Sequence, residues 1–334
     1  MAIVCVLMQL AHAGCGAPAR GSRPDGTVAL QVAVLPYVSF APLLIAQEEG
    51  YFAEQQLHVT FRKLKRSADA IVALARGEID VAGGTISLAF LNGLARGARI
   101  RLVADKGYID PAGCTYTAVM ARRALVEAGA PDTAGWLRGR RVAVNRHSFQ
   151  GYLLDKLLES AGLGLEAIEV ADVPDAALPG ALSQGAIDLA VTSEPWITHI
   201  LRSGHGVIWK RVEDVAPGAQ YAFIAYGPTL LDRNPDAGRR FLVAYLEGVS
   251  VYNRGKTKRI LQILEKQTGL PTEVLEASCW PRIRADGRID VHSVLEFQRW
   301  AARRNLLDRL IDPGEFWDPR FADHASGVLA SPTR

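Results

Sequence analysis

The sequence is poor in cysteine, with four in 334 residues. None sits in a CxxC pair or a mixed Cys/His spacing, so neither a metal centre nor a cofactor is called for. A GxSxG elbow, an HExxH helix and a glycine-rich P-loop are also missing, so no catalytic residue is named. Charge of one sign is lacking too: 38 Lys and Arg face 35 Asp and Glu, a net +3 that gives no reason to expect nucleic acid. The local run Arg62-Lys63-Lys65-Arg66 reads as a solvated strand end, with an anion-attracting mouth as the alternative. No apolar run approaches the ~20 residues that span a bilayer. What is present, 49% hydrophobic and 22% charged residues over this length, describes a globular chain of two domains.

Residues 1–26 read as an export leader and tether. The apolar segment Ala2–Ala11 is short, as in a signal peptide. Ala13-Gly14-Cys15 resembles the end of a bacterial lipoprotein signal. No Lys or Arg precedes the run, and His12 stands where such signals carry an aliphatic residue. Two readings therefore stand, a lipid anchor at Cys15 or simple cleavage. Gly16–Gly26, rich in Gly, Pro, Ser and Arg, is a flexible tether. Cys5 and Cys15 belong to this region. Cys114 and Cys279 are read as two separate thiols, with pairing in an oxidising compartment as the alternative.

The chain is organised around Val28–Thr85. Apolar or alternating runs predict strands at Val28–Leu35, His58–Lys63 and Ile79–Ala82. Helices are predicted over Phe40–Glu49 and Ala68–Arg76, with Ser39 and Ser67 as N-caps and Gly50 and Gly77 as stops. Strand, helix, strand, helix, strand implies a parallel sheet with ligand loops at the strands' C-terminal ends. The pattern recurs. Val32-Ala33-Val34, Ser39-Phe40 and Leu43-Leu44 are echoed by Val142-Ala143-Val144, Ser148-Phe149 and Leu153-Leu154. Gly77 and Ile79-Asp80-Val81-Ala82 are echoed by Gly185 and Ile187-Asp188-Leu189-Ala190. Such a repeat predicts two similar α/β lobes closing on a ligand between them. Arg99–Ala104 is a fourth strand, followed by a loop over Asp105–Gly113. Thr115–Ala121 and Tyr221–Tyr226 are read as the crossings between lobes. Lobe 1 is then 27–117 plus 222–334, and lobe 2 is 118–221. After Asn234 the apolar spacing turns helical, over Asp236–Arg254, Thr257–Thr268 and Val291–Arg304, and these helices are expected to pack on lobe 1.

Five stretches carry a resemblance: FAPLLIAQEEGYFAEQQL, ARGEIDVAGGT, LRGRRVAVNRHSFQGYLL, QGAIDLAVTSEPW and IRADGRIDVHSVLEFQRW. Together they resemble the substrate-binding proteins of nitrate, sulfonate and taurine ABC transporters, a group that includes thiamine-pyrimidine binders. The resemblance runs from about Val28 to Asp318. It implies a type II periplasmic-binding-protein fold, two lobes each with a mostly parallel sheet flanked by helices and joined by two hinge crossings. It also implies a monomer in the periplasm, or on the outer face of the cytoplasmic membrane, that hands a small ligand to a permease and its ATPase subunit. By this analogy the cleft is lined by Tyr37, Ser39, Phe40, Ser67, Gly84, Thr85 and Tyr108 from lobe 1. Lobe 2 supplies Asn145, His147, Ser148, Phe149, Ser193, Glu194 and Trp196.

The chemistry of these residues suits an organic ligand, anionic or planar aromatic. Ser39 and Ser148 stand at helix N-termini that favour an anion, and Tyr37, Phe40, Phe149 and Trp196 offer flat walls. The plainer roles are helix capping for the serines, core packing for the phenylalanines, an internal partner for Glu194 and solvation for His147. Lys65, Arg66, Lys106 and Arg146 are the cations near these loops, none clearly aimed inward. Some relatives are desulfinases with a cleft cysteine, or pyrimidine synthases rich in Cys and His. Here no cysteine lies between Val28 and Gly113, so binding is preferred to catalysis. A sensory binding module is the remaining alternative.

Overall fold

The computed structural model describes residues 26–331. The leader, Cys15 and the tether up to Asp25 lie outside them. Described strands are β1 (Val28–Val34), β2 (Leu57–Lys63), β3 (Val81–Thr85), β4 (Arg101–Tyr108), β5 (Thr117–Arg122), β6 (Arg141–Ala143), β7 (Glu169–Ala171), β8 (Leu189–Ser193), β9 (Gly206–Arg211) and β10 (Gln220–Tyr226). They form two five-stranded sheets, ordered β2-β1-β3-β10-β4 and β7-β6-β8-β5-β9. The fold is α/β with two lobes, and the two orders are the same topology. In each, three parallel strands are followed by one antiparallel strand that arrives from the other lobe.

The internal echo therefore extends to register. Val32-Ala33 pairs with Val81-Ala82, and Val142-Ala143 pairs with Leu189-Ala190. The repeated Ile-Asp also has one structural job in both lobes. Asp80 accepts the Gln31 amide at 2.8 Å and Asp188 accepts the Arg141 amide at 3.1 Å. Each carboxylate thus satisfies an amide of the first strand just where the third strand begins.

Several boundaries differ from the sequence expectation. β3 runs on through Gly83-Gly84-Thr85 because these residues pair with Ile224, Phe223 and Ala222 of β10. β4 reaches Tyr108, which takes Asp105–Tyr108 out of the expected loop. Thr117–Ala121 and Tyr221–Tyr226 are interior strands of the two sheets. The chain changes lobe just before each of them, over 109–116 and 212–219. An apolar strand buried on both faces has the same pattern as a buried crossing, and composition does not separate them. Ser39 is not an N-cap, since it sits inside the short turn Val38–Phe40 and the helix Ala41–Glu48 is preceded by Phe40. Ser67 is the first residue of its helix, with Arg66 at the cap.

Cys114 and Cys279 form a disulfide, against the expectation of two thiols; their Cα atoms are 5.6 Å apart across 165 residues. Sequence separation carries no information on such proximity. The late helices do build on lobe 1, where Phe241, Tyr245 and Leu246 of the Pro235–Asn253 helix are fully buried with Tyr226. One departs from that plan. The Val291–Arg303 helix also packs against the Phe149–Glu159 helix of the second sheet. Tyr152 meets Trp300 edge-on at 5.6 Å, and buried Asp155 accepts Trp300 Nε1 and Arg304 Nε, both at 2.7 Å. The 149–159 helix divides its apolar residues accordingly. Phe149, Tyr152 and Leu153 join the first lobe's core, and Leu154, Leu157 and Leu158 join the second's.

Candidate functional site

The loops after the parallel strands of the two sheets meet. Tyr37, following β1, donates its hydroxyl to Asp175 at 2.5 Å, in the loop that follows β7. Beside it, Ser148 bridges to Ser87, and the backbone N–H groups of Leu88 and Phe149 bond the carbonyls of His147 and Ile86. The two sequence-predicted corners, Ser39-Phe40 and Ser148-Phe149, thus do different things. Ser148 uses its hydroxyl locally, on Asn145 O and Gln150 Oε1, and its backbone on the opposite lobe. Phe149 turns inward against Tyr152 and Tyr221.

Ser39 belongs to a buried polar cluster. Its hydroxyl meets Lys106 Nζ at 2.6 Å and the Tyr116 hydroxyl at 3.3 Å. Lys106 is only 2% exposed and lies over the Phe40 ring, 3.7 Å from its centroid. Tyr116 stacks on Tyr221 at 5.3 Å. Gly83 is glycine because of this cluster: a Cβ there would stand 2.8 Å from Phe40 and 3.0 Å from Lys106. Gly84 likewise leaves room for Ser67, whose side chain would lie 2.8 Å from an added Cβ. That space is taken by these side chains. Lys106 makes no ion pair among the described residues. The carboxylate of neighbouring Asp105 is spent on the amides of Gly107 and Arg284 and on Gln220 Nε2.

Burial pushes the Lys106 amine well below the ordinary lysine range, with Asp105 opposing the shift only in part. Burial likewise raises Asp175, which among the described residues accepts the hydroxyls of Tyr37 and Thr192. The consequence for stability has a definite sign. A lysine whose folded pKa is depressed binds fewer protons folded than unfolded, so its cost grows as pH falls from about 10.4 towards the folded value. Lys106→Met is therefore expected to stabilise the fold at neutral pH and raise the melting temperature, because it removes a buried amine whose charged form burial disfavours. The gain should shrink above about pH 10. Thermal melts across pH measure it, and a destabilised variant at pH 7 would contradict it.

The other predicted residues are scattered more widely. Ser193 shares a 2.8 Å hydrogen bond with Thr117, both buried at the start of the second lobe. Glu194 is buried and used internally, by Thr198 N and Oγ1 at 2.9 Å and by Cys279 N at 3.1 Å. Burial raises its pKa, and these hydrogen bonds oppose the rise. Trp196 is half-buried, with its ring edge against His199. Asn145 and His147 are exposed at the rim, where the Asn145 side chain accepts the His147 amide. Thr85 is partly exposed and pairs with Ala222. Tyr108 stands apart, under the Arg284 guanidinium at 4.4 Å. Sequence reasoning missed Asp175, Tyr116, Tyr221, Thr117 and Thr192, and left Lys106 unoriented. No alternation marks Lys106 in the sequence, because β4 pairs irregularly with β10 on both sides of Ala104-Asp105 and is buried from Leu102 to Gly107. A cavity of about 460 Å³, lined by Arg99, Asp232, Arg309 and Glu315 among others, lies away from the facing loops. Three of its arginines, Arg99, Arg309 and Arg320, are already paired with carboxylates.

This architecture, two equivalent sheets whose loop edges face each other, is the fold of the two-lobed periplasmic binding proteins. Solved structures agree at the level of fold. The nitrate-binding protein NrtA from Synechocystis PCC 6803 superposes with TM-score 0.75 at 15% identity, over 92% of this chain and 90% of that one. The alkanesulfonate-binding protein SsuA from Xanthomonas axonopodis pv. citri, bound to MOPS, gives 0.71 at 17% identity, over 86% and 98%. The desulfurization enzyme DSZB gives 0.65 at 14% identity, over 90% and 99%. No curated protein matches the sequence. Residues 23–265 match the NMT1-like family, and the chain belongs to that family.

Proposed function

We propose that this chain is the solute-binding receptor of an ABC importer. It captures a small organic ligand between its lobes and delivers it to a membrane permease driven by an ATPase subunit. The observation that carries this reading is the buried Lys106–Ser39–Tyr116 cluster, near where the loops of two equivalent sheets meet and without a carboxylate paired to its cation among the described residues. Folds shared with NrtA and SsuA support it. The protein is exported, either cleaved or anchored by lipid at Cys15, and acts as a monomer. The disulfide supports an oxidising compartment. The DSZB likeness raises catalysis as the alternative. Both described cysteines are bonded to each other, so the described residues offer no free thiolate for a desulfinase-type attack.

Native mass spectrometry of protein recovered from expressing cells tests the reading. The expected result is a processed chain in the extracytoplasmic fraction, with a small-molecule adduct that is released on unfolding. Unprocessed protein confined to the cytosol and free of adducts would overturn it.

A further inference from the structure

One covalent bond closes the crossings between the lobes into a ring. Cys114, in the first crossing, is joined to Cys279, in the segment that follows the Thr272–Ala277 helix. The Cys279 N–H donates to Glu194 Oε1 of the second lobe at 3.1 Å. The Glu194 N–H returns to the Tyr116 carbonyl at 2.9 Å, two residues beyond Cys114. Between those two, Thr115 Oγ1 donates to Glu213 Oε2 of the second crossing at 3.3 Å. Both crossings, the late segment and the second lobe therefore meet at one node. Neither cysteine lies on a helix or strand, so no backbone ladder holds the pair together. The late segment is kept on the first sheet by the Tyr108 N–H, which bonds the Arg282 carbonyl. A further tie, the ion pair of Asp110 with Arg282 at 3.3 Å, has an arginine 67% exposed and is weak. The two cysteines differ in access. Cys114 is open to solvent, whereas Cys279 is 7% exposed.

We infer that the Cys114–Cys279 bond is a redox-operated strap on the hinge, which a dithiol opens without unfolding the chain and whose opening frees the lobes to separate. A thiolate can approach Cys114 from solvent, and accessible disulfides are the ones that exchange. One thiolate of the dithiol attacks the Cys114 sulfur and forms a mixed disulfide, while the Cys279 sulfur leaves as a thiolate and takes up a proton. The second thiolate of the reductant then attacks its own partner sulfur and releases Cys114 as the other thiol. The dithiol is oxidised to a disulfide, and the protein's disulfide is reduced to two thiols. With the bond cut, Cys279 stays with the first lobe through Arg282, and Tyr116 stays with Glu194. The Cys279–Glu194 hydrogen bond is then left to span the lobes with no covalent link beside it. The other contacts between the lobes, Tyr37–Asp175 and the Asp155 clamp among them, are non-covalent and can break and re-form. The partner of such a strap is a thiol–disulfide exchange protein bearing two neighbouring thiols. The strap goes beyond the receptor reading, since it acts whether the chain carries its ligand or transforms it.

Dithiothreitol added to the intact native protein tests this. Alkylation and intact mass should show both thiols freed, while circular dichroism still reports a folded chain. Small-angle scattering should then give a larger radius of gyration. Hydrogen exchange at the Cys279 amide should quicken about tenfold or more, with the β1 and β6 amides inside each lobe unchanged. Reoxidation with oxidised glutathione should restore both readings. The paired substitution Cys114→Ser with Cys279→Ser should give the larger radius from the start and no response to dithiothreitol, and the reduced wild type carries the test if that variant does not fold. A bond that yields only in denaturant, or whose reduction unfolds the chain, would make it a permanent staple and overturn the proposal. Reduction of the folded protein with unchanged scattering and exchange would overturn it as well, because the bond would then restrain nothing between the lobes.

Discussion

Reduction of the Cys114–Cys279 bond is expected to cost about 2–5 kcal/mol of stability. The bond closes a loop of 165 residues, for which the chain-entropy estimate is about 5 kcal/mol, and measured losses fall at or below such values. The position adds to the effect. Cys114 lies in the 109–116 crossing, and Cys279 follows the Thr272–Ala277 helix of the late segment. Cys279 N–H in turn holds the Glu194 carboxylate of the second lobe. The bond therefore ties the crossing to the late helices beside a contact that itself spans the lobes. Denaturant titration with and without reductant measures the loss, and peptide mapping without reduction should recover the 114–279 link. An unchanged midpoint after complete reduction, or recovery of two alkylated thiols from the native protein, would refute it.

Asp155→Ala should be nearly as severe, at about 3 kcal/mol, because it strips the acceptor from two donors at once. Asp155 is fully buried and receives the indole of Trp300, itself 1% exposed, and the Arg304 guanidinium. The Arg304 side chain is about one-third exposed and can rehydrate. Trp300 cannot do so without opening the Tyr152–Phe297–Trp300 aromatic contact. This contact joins the Val291–Arg303 helix to the second lobe's 149–159 helix, so its loss should appear in shape as well as stability. Small-angle scattering of the variant should give a larger radius of gyration than wild type. Asp155→Asn, which keeps one acceptor, should lose less. A variant as stable and compact as wild type would show that the contact holds nothing together.

The lobes are joined by two crossings, one of them braced by the disulfide, by a helix–helix contact on the 149–159 helix, and by the Tyr37–Asp175, Ser87–Ser148 and Cys279–Glu194 contacts. Any movement between them must preserve or break these contacts.

Much of the architecture was legible in the sequence alone. The echo of Val32-Ala33-Val34 by Val142-Ala143-Val144, and of Ile79-Asp80 by Ile187-Asp188, identified two equivalent lobes, and strand order and register repeat accordingly. Periodicity also placed the Pro235–Asn253, Lys258–Thr268 and Val291–Arg303 helices, since burial of one helical face is written in local spacing. The positions of the serines at Ser39 and Ser148 were legible, but their hydroxyl partners were not. Ser39 faces Lys106 only because β4 runs three strands away from β1 in its sheet, beyond β3 and β10. Asp175 entered no motif because the residue that makes it informative, Tyr37, is 138 positions away. The disulfide, the Asp155 clamp and the internal use of Glu194 have the same origin. Strand and helix periodicity come from the chain's own repeat and need no partner. A buried charge, a cross-lobe hydrogen bond or a bonded cysteine pair is defined by what lies opposite, and only the tertiary structure decides that.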